Sequence, residues 1–268
     1  MRWPSLLLWS GLLGAALAAP APQARAQVAA AQLKSVEAAP EPNAALPLGA
    51  GFVDEAGRPL TLGDAIGGLP TVLVFVDYTC RTLCGPILDF TVTGLGKSGL
   101  EPGADYRLVA VGIDPKDGSS AALAMRQAHI DRGDPIGRNA SFLSGTQSSI
   151  HAVTQAAGLR YYYDAEHDQY AHPAAAFVID GKGRVRRVLS PLGLDGADLR
   201  LAIVDAGQGL VGTLADRIHL LCYSYDPVKG IYTERITAML SVAAVITLLA
   251  LFGGISLMAA REKRSQTP

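Results

Sequence analysis

Val72-Leu73-Val74-Phe75-Val76 is an unbroken apolar run, and the first of two closely spaced cysteines, Cys80 and Cys84, follows it within four residues. A short run with no polar alternation is what a central strand needs when both faces of its sheet are covered. Leu108 to Ile113 repeats the pattern and ends at the turn Asp114-Pro115. Ala175 to Ile179 and Val185 to Leu189, joined by the turn Gly181 to Gly183, form a hairpin, and Phe52 to Leu62 forms another around Gly57. Between these strands the apolar spacing becomes helical. Leu88, Val92 and Leu95 share a face before a stop at Gly96; a helix is predicted over 119–131 after Ser119, and another over 146–157, where Ile150, Val153 and Ala157 align and Gly158 terminates. Leu199, Ala202, Ile203 and Ala206 stripe a last helix that ends at Gly207. Strands that alternate with helices and close in a hairpin imply an α/β fold, a three-layer sandwich on a central sheet.

The chain has 268 residues, of which 49% are hydrophobic and 18% charged, with a net charge of −1. This balance excludes a disordered chain, a collagen-like chain and a basic nucleic-acid binder, and the length suits one main domain. Both ends carry apolar segments. Arg2, the run Leu6 to Ala19 and the small residues of Ala24-Arg25-Ala26 before Gln27 read as a secretory signal peptide over 1–26. Residues 237–260 form an uncharged apolar stretch long enough to span a bilayer, followed by a short tail, 261–268, with Arg261, Lys263 and Arg264. The expected topology is a single pass with the main domain outside and the C-terminus in the cytoplasm. The high Ala and Gly content points to a bacterium, hence to a periplasmic domain on the inner membrane. Residues 27–47, rich in Ala and Pro, read as a linker, 48–207 as the folded domain and 208–236 as a juxtamembrane segment.

Cys80 and Cys84 sit where the central strand hands over to the next helix. Cysteines at i and i+4 across a first helical turn present both sulfurs on one side, and the positive end of the helix dipole favours thiolate there. Arg81 pushes the same way. Thiolate is the reactive form in disulfide exchange and the form that binds a soft metal; a structural disulfide or two buried thiols is the bland alternative. Two thiolates suit Cu(I), an added imidazole extends the site to Cu(II), and zinc asks for four ligands. The segment Gly94-Leu95-Gly96-Lys97-Ser98 imitates a phosphate-binding loop, but Thr91 stands where its first glycine belongs and the segment falls at a helix end, so no nucleotide site is expected.

The buried strand, C-x-x-x-C at the head of a helix, Ile113-Asp114-Pro115-Lys116-Asp117, and His172 shortly before Ile179-Asp180-Gly181-Lys182-Gly183 together resemble the Sco/SenC family. The resemblance covers about residues 47–207 and implies a thioredoxin-like, membrane-anchored copper protein that assists assembly of the dinuclear copper site of cytochrome c oxidase. Carried over by position, it makes Cys80 and Cys84 thiolate ligands of one copper ion and His172 the imidazole ligand, with Asp114 as an acidic loop residue beside the site. The segments Leu221 to Pro227 and Gly230-Ile231-Tyr232 resemble a bacterial branch anchored at the C-terminus. Two departures stand out: Gly85 replaces the proline common after the second cysteine, and Pro173 follows the histidine where a hydroxyl residue is usual.

Other residues read more plainly. His129 and His151 lie in predicted helices and His167 in an acidic loop with Asp164, Glu166 and Asp168, where solvated histidines are expected; Tyr161 to Tyr163 pack on a strand or rim the cleft. His219 with Cys222 offers either an auxiliary metal or docking site or an ordinary reduced thiol. Two functions follow. One is a metallochaperone that delivers copper by ligand exchange to an oxidase subunit, with other copper carriers or thiol reductants as further partners. The other is a thiol-disulfide oxidoreductase that keeps the oxidase copper-site cysteines reduced, with Cys80 attacking and Cys84 resolving, for which His172 is not needed.

Overall fold

A computed structural model describes residues 36–80, 84–131, 133–208, 211–213, 215–216, 219–220, 223–234, 241 and 244–256, with Cys84 described by its backbone. Its strands are β1 (Glu37–Ala38), β2 (Gly51–Val53), β3 (Pro59–Thr61), β4 (Thr71–Val76), β5 (Arg107–Gly112), β6 (Ala140–Gly145), β7 (Leu159–Arg160), β8 (Tyr162–Asp164), β9 (Gln169–Ala171), β10 (Ala176–Ile179), β11 (Val185–Leu189), β12 (Tyr223–Asp226) and β13 (Ile231–Glu234). The helices are α1 (Leu62–Ile66), α2 (Cys84–Lys97), α3 (Ser119–His129), α4 (Pro135–Arg138), α5 (Gln147–Ala156) and α6 (Gly196–Ala206).

Seven strands form one mixed sheet in the order β11-β10-β4-β5-β6-β2-β3. β4, β5 and β6 run parallel, while β10 is antiparallel to both β4 and β11. Alternate residues of β4 feed two separate cores. Val72, Val74 and Val76 pack with α2, α3 and α6, whereas Leu73 and Phe75 pack with α1 and α5. All six residues of β4 are buried, as an apolar run without alternation requires. The expected three-layer sandwich is present, and its central sheet is mixed.

β6 was not expected from the sequence, although it pairs with β5 in the middle of the sheet. Its residues, Ala140-Ser141-Phe142-Leu143-Ser144-Gly145, break the apolar pattern with two serines and end in glycine. At Gly145 a Cβ would lie 2.7 Å from the Phe52 ring, so the glycine admits β2 alongside. Gly94 acts similarly: a Cβ there would lie 2.1 Å from the Leu194 carbonyl oxygen, so the apparent phosphate-loop glycine lets the chain ahead of α6 approach α2.

The Ala/Pro-rich stretch is tied to the domain along its C-terminal half. β1 pairs with β7, the Leu46 N–H donates to the Gly183 carbonyl at 2.9 Å, and the Leu46 side chain is buried. The few apolar residues of this stretch thus find a groove that composition does not reveal. The segment ahead of 237, read as juxtamembrane, contains a folded hairpin. β12 and β13 form a hairpin whose Tyr232 is buried, its N–H donating to Asp198 at 3.1 Å, while the Val188 N–H donates to the Tyr225 hydroxyl, which in turn donates to the Val188 carbonyl. Residues 244–256 are helical with exposed apolar side chains, including Phe252 and Leu249. Among the described residues no helix is long and apolar enough to cross a membrane. Residues 1–35, 237–240, 242–243 and 257–268 lie outside the described residues, and with them the expected signal segment, both ends of the expected span and the tail.

Candidate metal centre

β4 ends at Val76, and the chain turns through Asp77, Tyr78 and Thr79 to Cys80, whose N–H donates to the Asp77 carbonyl at 3.2 Å. Two buried side chains hold this turn. Tyr78 drives its ring beneath the sheet, tilted against Phe142 at 6.1 Å between centroids, with its hydroxyl 3.1 Å from the Ala110 carbonyl and 3.0 Å from that of Leu143. The ring lies over Gly112, where a Cβ would meet it at 2.6 Å. Burial raises the Tyr78 pKa well above the usual phenol range, so the hydroxyl stays a donor.

Asp77 is fully buried and bonds in two directions. Its Oδ1 accepts from the Thr79 N–H and hydroxyl, both at 3.0 Å, and its Oδ2 accepts from the Tyr170 N–H at 2.8 Å. A charge at the end of an apolar strand needs such partners, because an unpaired buried carboxylate is strongly disfavoured. The consequence is positional: one carboxylate joins the turn that presents Cys80 to β9, two residues ahead of His172. The strand register agrees, since Ala176 pairs with Val74, and continuing that antiparallel register sets His172 beside the 77–78 turn.

The half-buried His172 has its Nδ1 3.1 Å from the Pro173 carbonyl oxygen. A carbonyl only accepts, so Nδ1 carries the proton and the imidazole lone pair resides on Nε2. Burial lowers the His172 pKa, partly opposed by that hydrogen bond and by the Asp77 charge, which favours the neutral ring a metal requires. The proline noted as a departure therefore still offers its carbonyl to orient the ring.

Asp114, expected beside the site, lies at the carboxyl end of β5. Its Oδ1 accepts from the Lys116 N–H at 2.8 Å, which makes it a turn former, and its Oδ2 is 3.9 Å from Lys116 Nζ. Lys116 reaches across to Asp168 at 3.0 Å and lies over the Tyr163 ring, so the acidic loop is fastened to the Asp114 turn. These groups border a cleft of about 520 Å³ lined by Thr79, Asp114, Lys116, Asp117, His167, Asp168 and Gln169. Asp117, unremarked as a site residue in the sequence, accepts from the Tyr78 N–H at 3.0 Å, and its pKa is pushed up to about 6 by burial and then by the charges of Asp77 and Asp114.

Cys84 begins α2, and Cys80 lies four residues ahead of it in the turn after β4 rather than in a shared first helical turn as expected; the Cys84 side chain, Arg81 and Cys222 lie outside the described residues. Among the described residues there is no group of three or more His, Cys, Asp or Glu side chains that could hold a metal. Cys80 is partly buried against the core. Cys80, Asp114 and His172 thus fall at the same end of the sheet, beyond the carboxyl ends of the parallel strands, where α/β folds place their ligands. His151 is exposed and His167 pairs with Asp164 at 2.8 Å, as surface histidines do, whereas His219 meets Tyr223 edge-on at 6.4 Å between ring centroids. His129 departs from expectation: it packs on Gly85, and its Nδ1 is 2.8 Å from Asp89 Oδ1.

Parallel strands flanked by an antiparallel hairpin, with a cysteine-bearing turn feeding a helix at their carboxyl ends, define a thioredoxin-like protein. Residues 49–203 match the SCO1/SenC family model, and the chain belongs to that family. A comparison with curated proteins finds no match. Among solved structures, a protein of Aquifex aeolicus VF5 provisionally assigned to electron transfer is similar at 19% identity and a TM-score of 0.56, covering 63% of this chain and 95% of that one. BsSco, a Sco-family cytochrome c oxidase assembly protein with a disulfide switch, is similar at 19% identity and a TM-score of 0.51, covering 64% of this chain and 99% of its own. Copper-bound ScoI of Arabidopsis thaliana shares 16% identity over 59% of this chain and 95% of its own, at a TM-score of 0.48.

Proposed function

We propose that this chain is a copper metallochaperone that binds one copper ion through Cys80, Cys84 and His172 and passes it by ligand exchange to the dinuclear copper site of a cytochrome c oxidase subunit. Membership of the family supports copper as the cargo. One observation supports pairing Cys80 with His172: the Asp77 carboxylate bonds both the Cys80 turn and the strand leading to His172; Cys84 is assigned from its spacing and the family resemblance. Two thiolates and a neutral imidazole suit copper and under-coordinate zinc. In this reading residues 237–260 tether the domain to the outer face of a bacterial inner membrane, with a signal peptide ahead of it, and Asp114 supports the site through its turn. Tethering donor and acceptor in one membrane raises their effective concentration, so a long-lived complex is unnecessary.

The alternative reading, a thiol-disulfide oxidoreductase for the oxidase cysteines, draws support from the disulfide switch described for BsSco. Anaerobic copper titration of the reduced full chain beside His172→Ala separates the two. One copper per chain, weakened in the variant, supports the chaperone. No stable copper binding, with a Cys80–Cys84 disulfide that cycles equally in both chains, refutes it in favour of the oxidoreductase.

A further inference from the structure

β11 carries a bulge. Val178 of β10 pairs with Arg187 and Ile179 with Val185, so Arg186 is the extra residue, opposite no partner. Bulges at sheet edges re-aim side chains, and Arg186 lines a cavity of about 770 Å³. The floor of this cavity is β11 itself; one wall is the chain over 37–43 and the other is the β12–β13 hairpin with Tyr225, Pro227 and Val228. Both walls are fastened to β11 on either side of Arg186: the Val185 N–H donates to the Ala44 carbonyl at 2.8 Å, and the Val188 N–H to the Tyr225 hydroxyl at 3.1 Å. Arg186 is half-buried, and its Nε is buried with no hydrogen-bond partner. Among the described residues no carboxylate pairs with its guanidinium, whereas Arg187 beside it is engaged, bonded to Asp205 at 2.8 Å and to the Tyr232 hydroxyl at 3.2 Å and lying over the Tyr225 ring. Of the two carboxylates in the wall, Glu37 is bonded to Arg160 and Glu41 is exposed to water, so neither neutralises Arg186. An N–H buried without an acceptor is costly and needs a reason.

We propose that this cavity is an oxyanion site in which Arg186 binds a phosphate group, that of free phosphate or of a phospholipid headgroup. The planar guanidinium fork matches phosphate oxygens, and charge-assisted hydrogen bonds to them satisfy the orphan Nε–H. Beyond the guanidinium the lining turns apolar through Pro40, Pro42, Tyr225 and Val228, which suits an organic portion carried by the phosphate. The lipid source follows from chain order: the hairpin that forms one wall ends at Glu234, and the uncharged apolar stretch begins at 237. That source rests on the tether reading given above; the oxyanion site itself requires neither the tether nor copper.

The test takes the full chain in detergent micelles, labelled with ¹⁵N-arginine, and follows the Arg186 Nε–H resonance as inorganic phosphate or soluble glycerophosphoglycerol is added. A saturable shift of that resonance is expected, while the resonance of Arg184, exposed and outside the cavity, stays in place. By calorimetry, Arg186→Gln should weaken binding about tenfold or more, as loss of a charge-assisted hydrogen bond does, and Arg184→Gln should leave it unchanged. Saturation by glycerophosphoglycerol supports the headgroup; saturation by inorganic phosphate alone supports the site and overturns its lipid source. No saturable shift with either probe, a measurement that needs no variant to fold, overturns the inference. Equal weakening by the two substitutions also overturns it, because the binding would then belong to surface charge at large.

Discussion

Replacing Asp77 with alanine tests the joint between the two halves of the proposed site. The substitution removes an acceptor of three hydrogen bonds, from the Thr79 N–H and hydroxyl and from the Tyr170 N–H. Hydrogen bonds to a charged group contribute about 1.5–3 kcal/mol each, but Thr79 is exposed and water can replace its share. The net loss is therefore about 3 kcal/mol. At a urea slope near 2 kcal/mol/M this lowers the unfolding midpoint by roughly 1.5 M. The functional effect is separate from stability. In chain that remains folded, Asp77→Ala should lower copper affinity about tenfold or more, as loss of a group that orients a ligand does. Because the clamp joins the Cys80 turn to the His172 strand, adding Asp77→Ala to His172→Ala should lower affinity by less than Asp77→Ala does alone. Chelator competition on the four chains of this cycle measures it. Additive losses in the double variant, or a midpoint moved by less than roughly 0.3 M, would refute the clamp.

Three further outcomes follow from the same geometry. Gly112→Ala should destabilise the fold by about 1–3 kcal/mol, because Tyr78 is pinned and its ring cannot yield, whereas Gly118→Ala, with open space around it, should be near neutral; thermal melts compare the two. Asp117 has a folded pKa of about 6 against 3.8 unfolded, so the folded state holds its proton more tightly and this group's contribution to stability declines as pH rises from about 4 to 6; Asp117→Asn should remove that decline in urea titrations across this range. Asp216 is the opposite case: the Arg200 guanidinium, bonded at 2.6 and 2.8 Å, holds its pKa well below the usual carboxylate range, so its stabilisation is present above pH 3.8 and fades as pH falls; Asp216→Ala should cost about 2–4 kcal/mol at pH 7 and much less at low pH.

Much of this architecture could be read from residues whose pattern has one physical solution. The apolar run at 72–76 had to be buried on both faces, and the stripe from Leu199 to Ala206 had to face a core. β6 escaped because burial there is shared among serines, a phenylalanine and a leucine, a mixture that fits several states. Asp77 and Asp117 escaped as site residues for a different reason: a carboxylate in a turn looks solvated until the chain that donates to it is known, and Tyr170 lies 93 residues from Asp77. One local signal was available, a charged residue immediately after five apolar ones. His129 was legible as helical, but its contact with Gly85 joins two helices and has no signature in either. The hairpin β12–β13 was visible only as a tyrosine-rich motif; its packing on α6 and β11 depends on Asp198 and Val188, which its own residues do not announce.

That hairpin has a further consequence. β11 is the outermost strand on its side, and an outer strand ordinarily offers unpaired N–H and C=O groups on which another chain can add itself. Here the Tyr225 hydroxyl accepts from one and donates to the other at Val188, and Ala44 accepts from the Val185 N–H. A second copy approaching this edge would have to break those bonds before making its own. This edge thus resists growth of the sheet by accretion, blocked by one phenol and one carbonyl rather than by a further strand.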